Sequence, residues 1–322
     1  MACADMPLEH LKKYEGRNPR PADFDAFWDA SLAEMHAIDP APVFTPFMGV
    51  PSKIADFFEL TFTSTKGARI YAKFAKPKHI EGKAPALLLF HGLSSASDSW
   101  HDLLPFVSQG FVVAAMDCRG QGGKTQDLGG TLGTTFSSMF LRGIEGDPND
   151  MYYRDVFLDT AMLARVVMGL DYVDETRVAT HGASQGGGLA VVCAALMPEI
   201  RMCVPIVPFL SDYKRVWEMG RDVGAYEGLH YYFRRFDPTH AREDEIFTKL
   251  GYIDVQHFAP RVRAKVLFGS GLMDTTCPPS THFAVYNKLT SEKELAVYPD
   301  FGHEEFFGFL DIVFTFLSQL CE

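Results

Sequence analysis

The sequence predicts an α/β fold, a single mostly parallel, doubly wound sheet with helices on both faces. Three observations carry that prediction. Apolar runs of about five residues recur without polar alternation, as expected of strands buried on both faces. Helix-length stretches separate them. Several runs end in short loops holding Gly, Asp or His, and ligands bind at the carboxyl ends of strands in such sheets.

Residues 1–50 are rich in Pro, Asp and aromatics. They predict one helix, opened by Pro21-Ala22-Asp23 and running to about Ala37, with Phe24, Phe27, Trp28 and Leu32 on an apolar face. That face is expected to pack on the catalytic body. Segments 57–63 and 69–75 predict a hairpin around Lys66-Gly67. Buried strands follow at 86–90, 111–116, 177–181, 203–207, 265–269 and 294–298, with helices at about 100–108, 152–170, 186–197 and 280–289. Residues 208–260 break this rhythm with aromatic and charged helical sequence. They read as an insertion over the strand ends. The chain is therefore expected to form one domain over 1–322, with an N-terminal helical extension (1–50) and a helical insertion.

Composition excludes several functions. The 322 residues are 47% hydrophobic, enough for a large core. A net charge of -11 argues against a nucleic-acid partner. No apolar run approaches ~18 residues, so no membrane-spanning helix is expected. The first residues show no basic stretch followed by an apolar run, so a cytoplasmic location with reduced thiols is expected. The six cysteines form no C-x-x-C pair, and no metal or cofactor is expected.

The sharpest motif is Gly182-Ala183-Ser184-Gln185-Gly186, a G-x-S-x-G match after a strand and before a small-residue helix. A nucleophile elbow of the α/β-hydrolase fold needs that context. The alternative is a glycine-rich turn with an incidental serine. A serine needs a base oriented by an acid, in the chain order Ser, Asp or Glu, His. Asp274 and His303 fit that order, each just past a predicted strand. Asp300 and Asp254 are rival acids. His181 reads as structural, and His91 as support for its loop. The backbone amides of Gln185 and Leu93 are the candidate oxyanion donors. Arg119-Gly120-Gln121-Gly122-Gly123 fails both phosphate-loop spacings. Its arginine fork is expected to tie adjacent loops.

Arg119-Gly120-Gln121, Gly182-Ala183-Ser184-Gln185-Gly186 and His303-Glu304 together resemble carbohydrate esterase family seven, the acetyl xylan esterases and cephalosporin C deacetylases. The similarity extends to Pro208-Phe209-Leu210, Gly271-Leu272-Met273-Asp274 and Cys277-Pro278-Pro279-Ser280. The resemblance implies deacetylation of acetylated xylo-oligosaccharides and cephalosporin C without a metal, by a ring-like homo-hexamer in the cytoplasm. It implies Ser184, Asp274 and His303 as the triad, and substrate contacts at Leu93, Pro208 and Tyr226. The chain departs from the family at Leu93, where tyrosine is common, and at Ala225, where proline is common. Both positions are expected to border the acyl pocket. Another short-chain carboxylesterase, a peptidase on the same fold, or an inactive binding scaffold are the alternative readings.

Overall fold

The computed structural model describes residues 4–129 and 138–322. Among them, nine strands form one sheet: β1 (Val43–Pro46), β2 (Ala55–Thr63), β3 (Arg69–Pro77), β4 (Ala84–Phe90), β5 (Val112–Met116), β6 (Val173–Ala183), β7 (Met202–Ile206), β8 (Lys265–Gly271) and β9 (Lys293–Tyr298). Their order in space is β1-β2-β3-β5-β4-β6-β7-β8-β9. The pairs β1/β2, β2/β3 and β3/β5 are antiparallel, and every pair from β5 to β9 is parallel. The order reverses around β4, and that reversal opens a crevice at the strand ends. This is the α/β-hydrolase architecture expected from the motifs.

The apolar runs are continuous because each buried strand has two covered faces. In β4, Ala86, Leu88 and Phe90 join one apolar cluster while Leu87 and Leu89 join another. In β5, Val112, Ala114 and Met116 alternate in the same way with Val113 and Ala115. The edge strand β1 breaks no rule, but it carries no signal. Three of its four residues are exposed, so no apolar pattern marks it.

The helices are α1 (Leu8–Leu11), α2 (Phe24–His36), α3 (Leu104–Ser108), α4 (Tyr152–Met168), α5 (Gln185–Leu196), α6 (Tyr213–Glu218), α7 (Glu227–Phe236), α8 (Glu243–Leu250), α9 (Pro279–Lys288) and α10 (Phe309–Ser318). Side chains of α2, α4, α5 and α9 pack in the larger cluster, and those of α3 and α10 in the smaller one. All twelve residues of α5 are buried, so it has no solvent face. None of these helices is long and apolar enough to cross a membrane. The cysteines Cys118, Cys193, Cys203, Cys277 and Cys321 are free thiols, and Cys3 lies outside the described residues.

The N-terminal extension packs on the body as expected, and it also grips the 208–260 segment. Trp28 is fully buried, and its Nε1–H donates to the Tyr252 carbonyl at 2.9 Å. Phe24 meets Phe258 edge to face at 5.0 Å, and Trp28 lies 5.8 Å from Phe157 on α4. The Asp212 carboxylate accepts hydrogen bonds from Tyr14 Oη and from the amides of Arg17 and Asn18.

Arg119 ties loops together, in the role expected of it. Its Nε and Nη2 donate to the two carboxylate oxygens of Asp159 at 2.6 and 2.7 Å. Nη2 also reaches the carbonyl and Oγ1 of Thr65, in the β2–β3 turn. One planar fork thus joins the loop after β5, the helix α4 and the hairpin. Asp159 is fully buried, so loss of the fork strands a charge. Arg119→Met is expected to destabilise the fold by about 3–5 kcal/mol, measured by urea denaturation, and Asp159→Leu in that background should recover part of the loss.

Candidate active site

Ser184 sits between β6 and α5 with φ 57 and ψ -121. A non-glycine residue rarely holds a positive φ, so surrounding contacts must enforce it. The Ser184 N–H donates to the Ile206 carbonyl at 2.9 Å. Its carbonyl accepts from the amides of Gly188 and Phe209. The flanking glycines allow the close approach. A Cβ on Gly182 would lie 2.6 Å from the Phe90 carbonyl oxygen, and one on Gly186 only 1.9 Å from it. On Gly187 it would meet the Ile206 carbonyl oxygen at 2.7 Å, and on Gly188 that of Phe209 at 2.6 Å. Gln185 opens α5, so its amide has no partner within the helix and lies at the positive end of the dipole.

The loops after β8 and β9 bring the other two groups to this serine. His303 Nε2 lies 2.9 Å from Ser184 Oγ, and His303 Nδ1 lies 2.7 Å from Asp274 Oδ2. The other carboxylate oxygen, Oδ1, accepts from the amides of Thr276 and Cys277 at 2.9 and 2.8 Å. Asp274 is fully buried. The two loops are joined through backbone: the Leu272 amide donates to Tyr298 and the Met273 amide to Phe301. Gly271 permits the contact, since its Cβ would meet the Phe301 carbonyl oxygen at 2.5 Å. The rival acids stand elsewhere. Asp300 is exposed, and Asp254 is buried against the Asp212 and Gln256 amides.

Both other histidines near the strand ends are engaged by backbone. His91 Nδ1–H donates to the Gly92 carbonyl and Nε2 accepts from the Cys118 amide. That pair of bonds uses both nitrogens of a neutral ring, and burial lowers its pKa. His181 Nδ1–H donates to the Val204 carbonyl, and burial lowers its pKa too.

Gln121 and Gln185 form a clamp behind the elbow. Gln121 Nε2 donates to Gln185 Oε1 at 2.8 Å and to Tyr152 Oη at 3.0 Å, while its Oε1 accepts from the Ser94 amide at 2.8 Å. Gln185 Oε1 also accepts from Tyr153 Oη, whose proton burial holds firmly in place. The Gln185 Nε2 group donates to the His91 carbonyl. The clamp thus fixes the loop after β4 to the start of α5, the two backbone segments that carry Leu93 and Gln185. A glutamine in each of two glycine-rich loops was the available signal.

A pocket of about 380 Å³ opens at Ser184. Leu89, Ile206, Val207, Phe306, Phe309 and Leu310 are among its apolar lining, and Asp98, His181, Glu304 and Glu305 add polar groups to those of Ser184, His91 and His303. Leu93, Pro208 and Tyr226 lie outside this lining. The substrate contact expected of Tyr226 is corrected by the structure. Its ring is fully buried and packs on Phe209 and Phe140, at 4.8 and 5.9 Å. Pro208 is also buried, directly after β7. Leu93 and Ala225 are half-buried against the larger apolar cluster.

Gly186→Ala would force a methyl group onto the Phe90 carbonyl. It is expected to destabilise the protein by about 3 kcal/mol, as read by thermal unfolding.

Residues 1–320 match the acetyl xylan esterase (AXE1) family. The acetyl esterase Axe7A of Xylanibacter ruminicola is 28% identical over 299 residues, which cover 90% of this chain. The chain spans only 64% of that relative's length. Acetyl xylan esterase 1 from Thermoanaerobacterium sp. JW/SL YS485 is 51% identical, with a TM-score of 0.96 over 98% of this chain and 99% of its own. The acetyl xylan esterase from Paenibacillus sp. R4 is 33% identical, with a TM-score of 0.93 over the same shares. With its Ser184, Asp274 and His303 in one hydrogen-bonded row and its near-complete match, the chain belongs to the acetyl xylan esterase family.

Proposed function

We propose that this protein is a serine esterase that removes acetyl groups from acetylated xylo-oligosaccharides and related small esters, cephalosporin C among them. The continuous row Asp274–His303–Ser184 is the observation that carries the reading. In the first step His303 Nε2 takes the Ser184 proton as Oγ attacks the acetyl carbonyl carbon. Asp274 keeps the Nδ1–H tautomer and stabilises the imidazolium that forms. The amides of Gln185 and Leu93 receive the developing oxyanion. Collapse breaks the bond to the sugar oxygen, and His303 returns its proton to that oxygen. Water then loses a proton to His303 as it attacks the acetyl-serine; the bond from the acetyl carbon to Oγ breaks, acetate leaves, and His303 returns the proton to Ser184 Oγ. By family resemblance, the active form is a ring-like hexamer in the cytoplasm.

Ser184→Ala is expected to lower kcat on p-nitrophenyl acetate by at least about 10⁴-fold while leaving the fold intact. Activity near the wild-type level would overturn the assignment.

The pocket lining also bears on substrate choice. It holds three carboxylates, Asp98, Glu304 and Glu305, and no lysine or arginine among the described residues. Neutral acetylated saccharides should therefore be favoured over the net-negative cephalosporin C. The expected difference in kcat/KM is about tenfold at low salt, and it should narrow as salt rises. Acetate release across both substrates and a salt series measures it. An equal or reversed preference at low salt would remove the electrostatic argument.

A further inference from the structure

A second histidine reaches Asp274. His282, on α9, is fully buried and lies outside the row described above. Its Nδ1 is 3.0 Å from Ser270 Oγ, on β8. Its Nε2 has no hydrogen-bond partner, yet lies 3.7 Å from Asp274 Oδ2. That is the oxygen that meets His303 Nδ1 at 2.7 Å.

The surroundings select one tautomer. A lone pair on Nε2 would face the carboxylate and be repelled, whereas an N–H there would be attracted. The Ser270 hydroxyl can then donate to Nδ1, which leaves the Nε2–H to face the carboxylate at 3.7 Å, an electrostatic contact longer than a hydrogen bond. The charged and titratable groups around His282 are Asp274, His303 and, from the N-terminal segment, Asp5. Asp5 is itself engaged, with Oδ2 accepting from the Ser280 amide and Oδ1 from Arg215. Burial pushes His282 down to about 4, with Asp274 opposing and His303 reinforcing the shift. The ring is therefore neutral at neutral pH.

We propose that His282 is a positioning residue for the Asp274–His303 pair: its Nε2–H, set by Ser270, faces Asp274 Oδ2 and keeps that oxygen aimed at His303. Asp274 Oδ1 is already anchored by two amides, so Oδ2 is the oxygen whose direction remains to be set. The inference rests on the esterase reading above. It also has an electrostatic sign. The positive end of the Nε2–H dipole opposes a proton on His303, so its removal should make His303 easier to protonate.

The test compares three variants with the wild type. His282→Phe keeps an aromatic ring without a donor, His282→Gln restores an N–H, and Ser270→Ala frees the tautomer. With p-nitrophenyl acetate, His282→Phe is expected to lower kcat about tenfold at unchanged KM. It should also move the acid limb of the kcat/KM profile to higher pH. His282→Gln should recover both, and Ser270→Ala should change both in the same sense by less. A folded His282→Phe with wild-type kcat and acid limb would overturn the proposal. So would a loss of kcat with no pH shift and no rescue by glutamine, which marks packing alone. If His282→Phe does not fold, Ser270→Ala decides, and an unmoved acid limb and kcat would sink the idea. Ser184→Ala, run alongside, separates the two levels. Wild-type activity in it removes the Ser184–His303–Asp274 mechanism on which this inference rests, while inactivity in it with unaffected His282 and Ser270 variants removes only this inference.

Discussion

A Cβ on Gly186 would sit 1.9 Å from the carbonyl oxygen of Phe90, so α5 can begin against the end of β4 only through glycine. The rest of the site follows from that approach. It pins the turn between β6 and α5 at a positive φ, which lifts Ser184 out of the sheet. It places the free amide of Gln185 beside the loop after β4. It also brings the Gln185 side chain within reach of Gln121, so the two loops are linked by side chains as well as backbone. A bulkier residue at 182, 186, 187 or 188 would push apart backbone that has no freedom to yield.

The base and acid are delivered by a different device. Neighbouring strands β8 and β9 run parallel, in a register that pairs Gly271 with Tyr298. Their following loops leave the sheet side by side and exchange backbone hydrogen bonds. Asp274 lies three residues beyond the first strand and His303 five beyond the second. The 2.7 Å contact between them is thus inherited from strand register. Two amides fix the Oδ1 end of the Asp274 carboxylate, which leaves Oδ2 on the His303 side.

The sheet and the chemical row were legible because both are written in local patterns. Doubly buried strands must be apolar throughout, and β4 and β5 read plainly for that reason. Ser184, Asp274 and His303 stand where loop chemistry follows a strand end. The edge strand β1 was not legible, because exposed residues carry no apolar period. Tyr226 was misread for a related reason. An aromatic ring in an insertion suits a substrate wall or a core equally, and only the packing of Phe209 and Phe140 decides for the core. The Gln121–Gln185 clamp and His282 were hidden because their partners are 64 and 12 residues apart or lie on other elements.

The segment after β7 shows why the N-terminal extension belongs to the site. Val207, Leu210 and Asp212 all hold positive φ, and Val207 is β-branched. Each such conformation costs on the order of 1–3 kcal/mol and persists only where neighbours impose it. The Val207 amide is held by Gly269 and the Phe209 amide by the Ser184 carbonyl. The Leu210 carbonyl accepts from Val255, and the Asp212 amide donates to Asp254. At the far end, residues 14–18 close on the Asp212 carboxylate with three hydrogen bonds. The strained segment runs from a wall of the pocket at Val207, past the Ser184 carbonyl, to this lock. The lock thus fixes the far end of a segment whose near end donates the Phe209 amide to Ser184. A short N-terminal stretch, remote in sequence from the reactive serine, therefore helps to hold its backbone in place.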